Sequence, residues 1–258
     1  MNATTVAVDL AKNVFELAVA DDRWKLVERA RLTRGQFERW FQNRSVRLVV
    51  MEACATAHYW ARALRAKGIE VRLLPAQYVR AYVKRNKTDA ADALALLEAA
   101  RGSDIKSVAV KSIEQQALQA LHRLRSGWMS TRTRRINTLR GFCREFGMEV
   151  PVGAVRGLAQ IARLLADDHS AIPAMLRTPM RLALEETRLL EARIESLEHE
   201  LAAIARQSEP CKVLASVPGI GLLTSTAMVA AVRRSALFPL RPAILQLLRS
   251  DAAGIFFR

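Results

Sequence analysis

Asp89 and Asp92 stand three residues apart in the run Asn86-Lys87-Thr88-Asp89-Ala90-Ala91-Asp92-Ala93, which opens an Ala- and Leu-rich stretch continuing to Ala100. Thr88 is a favourable helix N-cap, so both carboxylates are expected on one face of a first helical turn. At that spacing their Cβ atoms lie roughly 5–6 Å apart, and a divalent cation would remove the repulsion between them. Acids in a first turn also simply complement the helix dipole. Two further carboxylates upstream favour a metal. Asp9 reads as an acid near the middle of the β-branched run Thr5 to Leu10, where an unpaired charge costs several kcal/mol. Glu52 closes a second such run, Val46 to Met51, at the point where a strand meets its loop. Either acid alone is compatible with a salt-bridged rim position. Together Asp9, Glu52, Asp89 and Asp92 form a set of hard oxygen donors, which selects Mg²⁺ or Mn²⁺ over zinc. Two such ions about 3.5–4 Å apart stabilise the attacking and leaving oxygens of a phosphodiester displacement.

The elements that must position these acids follow from hydrophobic periodicity. Thr5 to Leu10, Val14 to Val19 and Lys25 to Leu32, with a polar turn at Asp21-Asp22-Arg23, predict a three-stranded antiparallel meander. Thr33 caps a helix through Asn43, a fourth strand ends at Glu52, a helix runs from Ala57 to Lys67, and a fifth strand spans Ile69 to Leu74. Three strands, helix, strand, helix, strand, helix is the element order of a ribonuclease-H-like α/β domain.

The chain has 258 residues, with 40 Lys and Arg against 25 Asp and Glu, a net charge of +15. Mean hydropathy is +0.04 and the sequence pI is about 10.8. No apolar run reaches the ~18 residues that span a bilayer. Residues 1–5 lack the features of a secretory leader, so a cytoplasmic protein is expected. Cys54, Cys143 and Cys211 are far apart and lack zinc-ligand spacing, which predicts reduced core thiols. The excess of positive charge points to a nucleic-acid partner rather than a membrane.

The residues around the acids resemble the insertion-sequence-110 family of transposases and its insertion-sequence-1111 subgroup. The match lies in Val8-Asp9-Leu10-Ala11-Lys12, in Met51-Glu52-Ala53-Cys54-Ala55-Thr56-Ala57-His58-Tyr59-Trp60, and in Lys87-Thr88-Asp89-Ala90-Ala91-Asp92-Ala93. The resemblance implies a RuvC-like domain with a DEDD acid set, catalytic through Asp9, Glu52, Asp89 and Asp92. It further implies Mg²⁺-dependent cleavage and strand transfer on DNA, directed by a structured guide RNA. It covers residues 4 to about 232. Beyond Val232 the chain departs from the family's pattern, and neither Ser235 nor Ser250 stands in the context of the family's serine nucleophile. The expectation is therefore a truncated, inactive copy with a divergent tail. A nucleic-acid-binding remnant without catalysis and a Holliday-junction-type nuclease are alternatives. An actin-like ATPase ranks last, because glycine-rich phosphate loops are missing after the strands.

Basic residues are placed to serve such a substrate. Tyr78, Arg80, Tyr82, Lys84, Arg85 and Lys87 alternate aromatic and cationic side chains just before the acidic helix, a pattern suited to stacking and phosphate contact. From Lys106 to Phe146 nine Lys and Arg face two Glu, a local net of +7. The steps of Leu121, Leu124, Trp128, Ile136, Leu139, Cys143 and Phe146 predict a long amphipathic helix. Its outer face is expected to present Arg132, Arg134, Arg135, Arg140 and Arg144 to a sugar-phosphate backbone. His58 is a candidate behind Glu52, although a lone His there is more often simply packed and hydrogen-bonded. Leu190, Ile194, Leu197, Leu201 and Ile204 form a coiled-coil seam, open either to the preceding helix or to a second copy in a homo-oligomer. The segment from Lys212 to Thr224 resembles a helix-hairpin-helix, whose turn at Gly219 and Gly221 holds a phosphate without reading bases. The expected domains are residues 1–104, RuvC-like; 105–207, a helical coiled-coil region; 208–232, the start of a helix-hairpin-helix-like domain; and 233–258, the tail.

Overall fold

A computed structural model describes residues 5–82, 89–102 and 104–232, with Asp89 and Ala90 described in backbone only. The chain divides into two compact units, Met1–Ser112 and Ile113–Arg258.

The first unit is a mixed α/β sandwich around one sheet. Its strands are β1 (Thr5–Leu10), β2 (Val14–Ala20), β3 (Leu26–Thr33), β4 (Leu48–Glu52) and β5 (Glu70–Leu74). The sheet order is β3-β2-β1-β4-β5. β1, β2 and β3 form the expected antiparallel meander, whereas β4 and β5 add parallel to β1 through helical crossovers. In the turn between β2 and β3, the Asp21 carboxylate accepts from the backbone N–H groups of Arg23 and Lys25.

Because side chains alternate across a strand, the sheet sorts its residues onto two faces. On one face Val6, Val8, Phe15, Leu17, Val49, Met51, Val71 and Leu73 pack under α1 (Arg34–Trp40) and α2 (Ala57–Arg65). Phe15, Phe37 and Trp60 meet edge to face there, with centroids 4.9–5.3 Å apart. α1 starts where Thr33 donates its backbone N–H to Gln36 Oε1 at 2.8 Å, half of a capping box. On the other face Ala7, Ala18, Val50 and Leu74 pack against α4 (Asp89–Arg101) and Val79 of the short α3 (Ala76–Val79). The Leu73–Val108 bridge ties residues just past α4 back to β5.

The second unit is helical: α5 (Ile113–Glu145), α6 (Ala154–Ala166), α7 (Ala174–Gln207), α8 (Glu209–Ala215) and α9 (Leu222–Ala231). α5 and α7 run antiparallel, since ion pairs link Arg125 to Glu198, Arg132 to Glu191 and Arg135 to Glu186. At one end Ile136, Leu139 and Cys143 of α5 pack with Met180 and Leu184 of α7 and with Leu158, Ile161 and Leu165 of α6. At the other, Leu118 packs with Leu197, Leu201 and Ala230. The heptad-spaced stripe of α7 is thus buried inside its own chain, with α5 as the partner. Two apolar positions expected in the α5 stripe lie outside it: Leu124 is 50% exposed and Phe146 36%.

Candidate catalytic site and nucleic-acid interface

Two of the expected acids are brought together by strand register. Asp9 is the second-last residue of β1 and Glu52 the last of β4. The two strands are parallel, with Val8 opposite Met51, so the next residue along each is Asp9 and Glu52. Adjacent in-register residues project to the same face, and alternation puts both on the side that carries Ala7, Val50 and α4. Asp9 is also the Cα partner of Glu16 on β2, and Glu16 accepts a salt bridge from Arg31 of β3 at 3.2 Å. A row Arg31, Glu16, Asp9, Glu52 therefore crosses the sheet. Asp9 sits at the carboxyl end of its strand and is half-buried, not near the middle of a buried strand. This location is less costly for a charge, and it is where ligand sites gather in α/β sheets.

Asp92 lies in the first turns of α4, half-buried, one helical step from the buried Ala95 and Leu96. Asp89 opens the same helix, and its side chain, like Thr88, lies outside the described residues. Among the described residues no three His, Cys, Asp or Glu converge as a metal cage. As chemistry the set fits a hard divalent cation: two carboxylates in step on neighbouring strands, facing a helix that opens with two more.

His58 belongs to the other layer. It is buried on α2, against the sheet face opposite α4, and its Nδ1 accepts the backbone N–H of Lys111 at 3.2 Å. Arg62 of the same helix donates to the Lys111 carbonyl at 2.7 Å. Desolvation, then the positive charges of Lys111 and Arg62, lower the imidazole to about 4. It is a neutral acceptor that pins the chain after α4.

Of the aromatic and basic run before α4, Tyr78 and Tyr82 stand exposed, four residues apart across α3 and the 3-10 turn Arg80–Tyr82. The expected contacts Lys84, Arg85 and Lys87 lie outside the described residues.

The arginines of α5 separate into two groups. Arg125 pairs with Glu198 at 2.6 Å and Arg135 with Glu186 at 2.7 Å, while Arg132 approaches Glu191 at 3.7 Å. Arg140 donates to the carbonyls of Pro151 and Gly153 at 2.8 and 2.7 Å. A Cβ at Gly157 of α6 would lie 2.6 Å from its Nη2, so a larger residue there would push this guanidinium aside. Arg132, Arg135 and Arg140 thus bracket the helical unit internally, contrary to the expected outer face. Arg134 and Arg144 are exposed. Arg134 lines an open groove on the outer side of α5 with Ser130, Thr133, Asn137 and Thr138, side chains of the kind that contact phosphates. In the α8–α9 hairpin, Gly219 takes a φ of +89°, which favours glycine, and Gly221 precedes α9.

A family model described as "Transposase", for DEDD transposases of the insertion-sequence-110 type, matches residues 6–147. A "Probable family 20 transposase" of Pseudomonas aeruginosa is 39% identical over 231 residues, 89% of this chain and 68% of that protein. The transposase for insertion sequence element IS1111A of Coxiella burnetii is 34% identical over 88% of this chain and 62% of its own length. The transposase for insertion sequence element IS1328 of Yersinia enterocolitica is 34% identical over 87% and 66%. The chain thus spans about two thirds of the length of these relatives. It belongs to the insertion-sequence-110 family of transposases. Among its described helices none is long and apolar enough to cross a membrane.

Proposed function

We propose that the first unit is a ribonuclease-H-like nuclease module of an insertion-element transposase, acting on DNA phosphodiesters. The observation that carries this reading is the in-step placement of Asp9 and Glu52 on neighbouring parallel strands, on the face covered by the helix that Asp89 opens. Asp9, Glu52, Asp89 and Asp92 would hold Mg²⁺ or Mn²⁺. Bound there, the cation supplies charge that stabilises the attacking and leaving oxygens. The chain's own part is to hold those carboxylates at a strand end with little freedom. α4 shields one side of them from water, and exposed cations such as Arg134 and Arg144 attract the sugar-phosphate backbone. Guide-RNA-directed strand transfer needs the serine nucleophile whose sequence context this chain lacks after Val232, so the activity proposed for this chain is metal-dependent phosphodiester cleavage, with DNA or a structured RNA as the polyanion its basic charge attracts.

The test is nicking of supercoiled DNA with Mg²⁺ or Mn²⁺ by wild type, Asp9→Asn and Glu52→Gln. Wild type should nick, each variant should lose at least about a hundredfold, and calorimetry should show weaker Mn²⁺ binding. Nicking that survives both substitutions would remove the acid site from the mechanism, and DNA binding without any turnover would leave a binding protein.

A further inference from the structure

The row of charges at the acid end of the sheet runs past Asp9 onto Glu16 of β2 and Arg31 of β3. β3 is an edge strand whose Ala30 and Leu32 pack towards α1 and α2, so strand alternation turns Arg29 and Arg31 to the face that carries the acids. The layer under α4 takes Leu26 at the other end of β3, while at this end the Arg31 side chain is 71% exposed. A substrate can reach it.

Glu16 gives that guanidinium its direction. It is the Cα partner of Asp9 on one side and of Arg31 on the other, its side chain is 17% exposed, and its Oε1 lies 3.2 Å from Arg31 Nε. A contact through Nε leaves the four Nη–H donors of the fork for another acceptor. Neighbouring strands lie about 4.8 Å apart, so a guanidinium drawn towards β2 stands close to one strand from Asp9. Charges on an edge strand also guard a sheet against pairing with another chain, and any cation does that. Edge protection does not call for a half-buried carboxylate next to a second one, which adds repulsion that Arg31 relieves. Glu16, Asp9 and Glu52 side by side also repel a phosphodiester, and a cation in the same row offsets this. The planar fork matches two phosphate oxygens at once. Because an exposed ion pair contributes little to stability, turning the fork from Glu16 to a phosphate costs little.

We propose that Arg31, aimed by Glu16, grips the phosphate next to the scissile one on the DNA strand entering the acid site, and so keeps that strand aligned with Asp9 and Glu52. Arg31 is then a substrate-binding residue and Glu16 its positioning residue. The inference rests on the reading of the first unit as a nuclease.

The test compares wild type, Arg31→Ala, Arg31→Lys, Glu16→Gln and Arg29→Ala in two measurements. One is the anisotropy of a labelled DNA duplex across a range of salt in metal-free buffer; the other is the rate of nicking of supercoiled DNA with Mg²⁺ at saturating DNA. Melting curves confirm that each variant is folded. Arg31→Ala should weaken binding about two- to fivefold and lower the slope of log K against log salt by about 0.9. Its nicking rate should fall at least about tenfold, because the strand is no longer aligned. Arg31→Lys should keep the slope and still lose nicking, since an ammonium does not supply the planar fork. Glu16→Gln should bind DNA at least as tightly as wild type yet nick more slowly, an outcome that a merely structural ion pair would not produce. Arg29→Ala, two residues from the row on the same face, should weaken binding without changing the nicking rate, which separates general surface charge from a contact at the site. An unchanged slope in a folded Arg31→Ala, full nicking by that variant, or an equal loss of nicking in Arg29→Ala overturns the proposal. Where wild type nicks and Arg31→Ala matches it in both measurements, the nuclease reading stands without the grip. A wild type that shows the expected Arg31 slope but never nicks removes the nuclease reading and leaves the phosphate contact.

Discussion

The sheet unit and the helical unit treat their charges in opposite ways. In the sheet, position along the strand decides a charge's role: Asp9 and Glu52 stand at carboxyl ends, in step, and a strand's alternation fixes their face. In the helical unit, position along the helix decides much less, because an arginine reaches several ångströms from its own backbone. Arg134 and Arg135 are neighbours in sequence, yet Arg134 lies on the outer groove while Arg135 turns to Glu186 on α7. A short carboxylate reports where its Cα is, whereas a long guanidinium reports where its partner is.

The widest break in this contrast is expected at the acids. Asp9→Asn should abolish metal-dependent nicking, by at least about a hundredfold, while leaving the melting temperature without metal unchanged or slightly raised, since like-charge repulsion is relieved. A large fall in melting temperature would mean that Asp9 is a structural ion-pair residue. In the helical unit the order reverses. Gly157→Ala should push the Arg140 guanidinium off the carbonyls of Pro151 and Gly153, and with alanine's better helix propensity offsetting part of that loss, unfolding free energy should fall by about 1 kcal/mol. Arg135→Ala should act in the same direction and more weakly, because Arg135 and Glu186 are partly exposed and solvent screens the pair. Chemical denaturation checks both. Full stability in Gly157→Ala would show that the Arg140 bracket contributes little.

The same contrast explains what could be read from residue order alone. Strand alternation and the turn at Asp21 are local signals, so all five strands were legible to within about two residues. Residue order carried the succession of elements but left the direction of β4 and β5 unstated; their parallel addition is what a helix between successive strands imposes. Asp9 was placed too deep although the strand's end at Leu10 was legible, because a β-branched run does not show that burial fades after Val8. On α5 the misreading has a clear cause. Leu118, Leu121, Arg125, Trp128, Arg132, Arg135 or Ile136, Leu139 and Cys143 follow one another at steps of three and four. Arginines therefore occupy seam positions opposite Glu198, Glu191 and Glu186, and a stripe read from apolar residues alone drifts outward onto Leu124. The signal lay in pairing the seam of α5 with that of α7, acid against base, which a single helix does not reveal. His58 was legible only as one of two roles; the Lys111 backbone 53 residues away decides it.

That histidine supplies a pH test confined to the first unit. Its folded value of about 4 lies below the ordinary 6.5, so the unfolded chain takes up the proton first as pH falls. Its contribution to stability is complete above 6.5 and is lost as the pH drops towards 4. His58→Asn keeps an acceptor near the Nδ1 position and removes the titration. Urea unfolding between pH 7.5 and 4.5 should show wild type losing about 1–2 kcal/mol more than the variant, after allowance for partial solvent exposure. Parallel curves would assign the acid sensitivity to other groups.

The smallest effect separates the two neighbouring arginines. Arg134→Ala should leave melting unchanged, because its side chain lies on the outer groove beside Ser130, Thr133, Asn137 and Thr138 rather than in the α5–α7 seam. If that groove follows a sugar-phosphate backbone, removing one cation releases one fewer counterion on binding. Affinity for DNA or RNA should then fall about two- to fivefold at moderate salt, and the slope of log K against log salt should drop by about 0.7–0.9. Arg135→Ala should do the reverse, shifting the melt and leaving the slope alone, since its charge is already neutralised by Glu186. Equal slopes for wild type and Arg134→Ala would make the groove a solvated surface, and a reduced slope for Arg135→Ala would mean that nucleic acid draws that guanidinium away from α7.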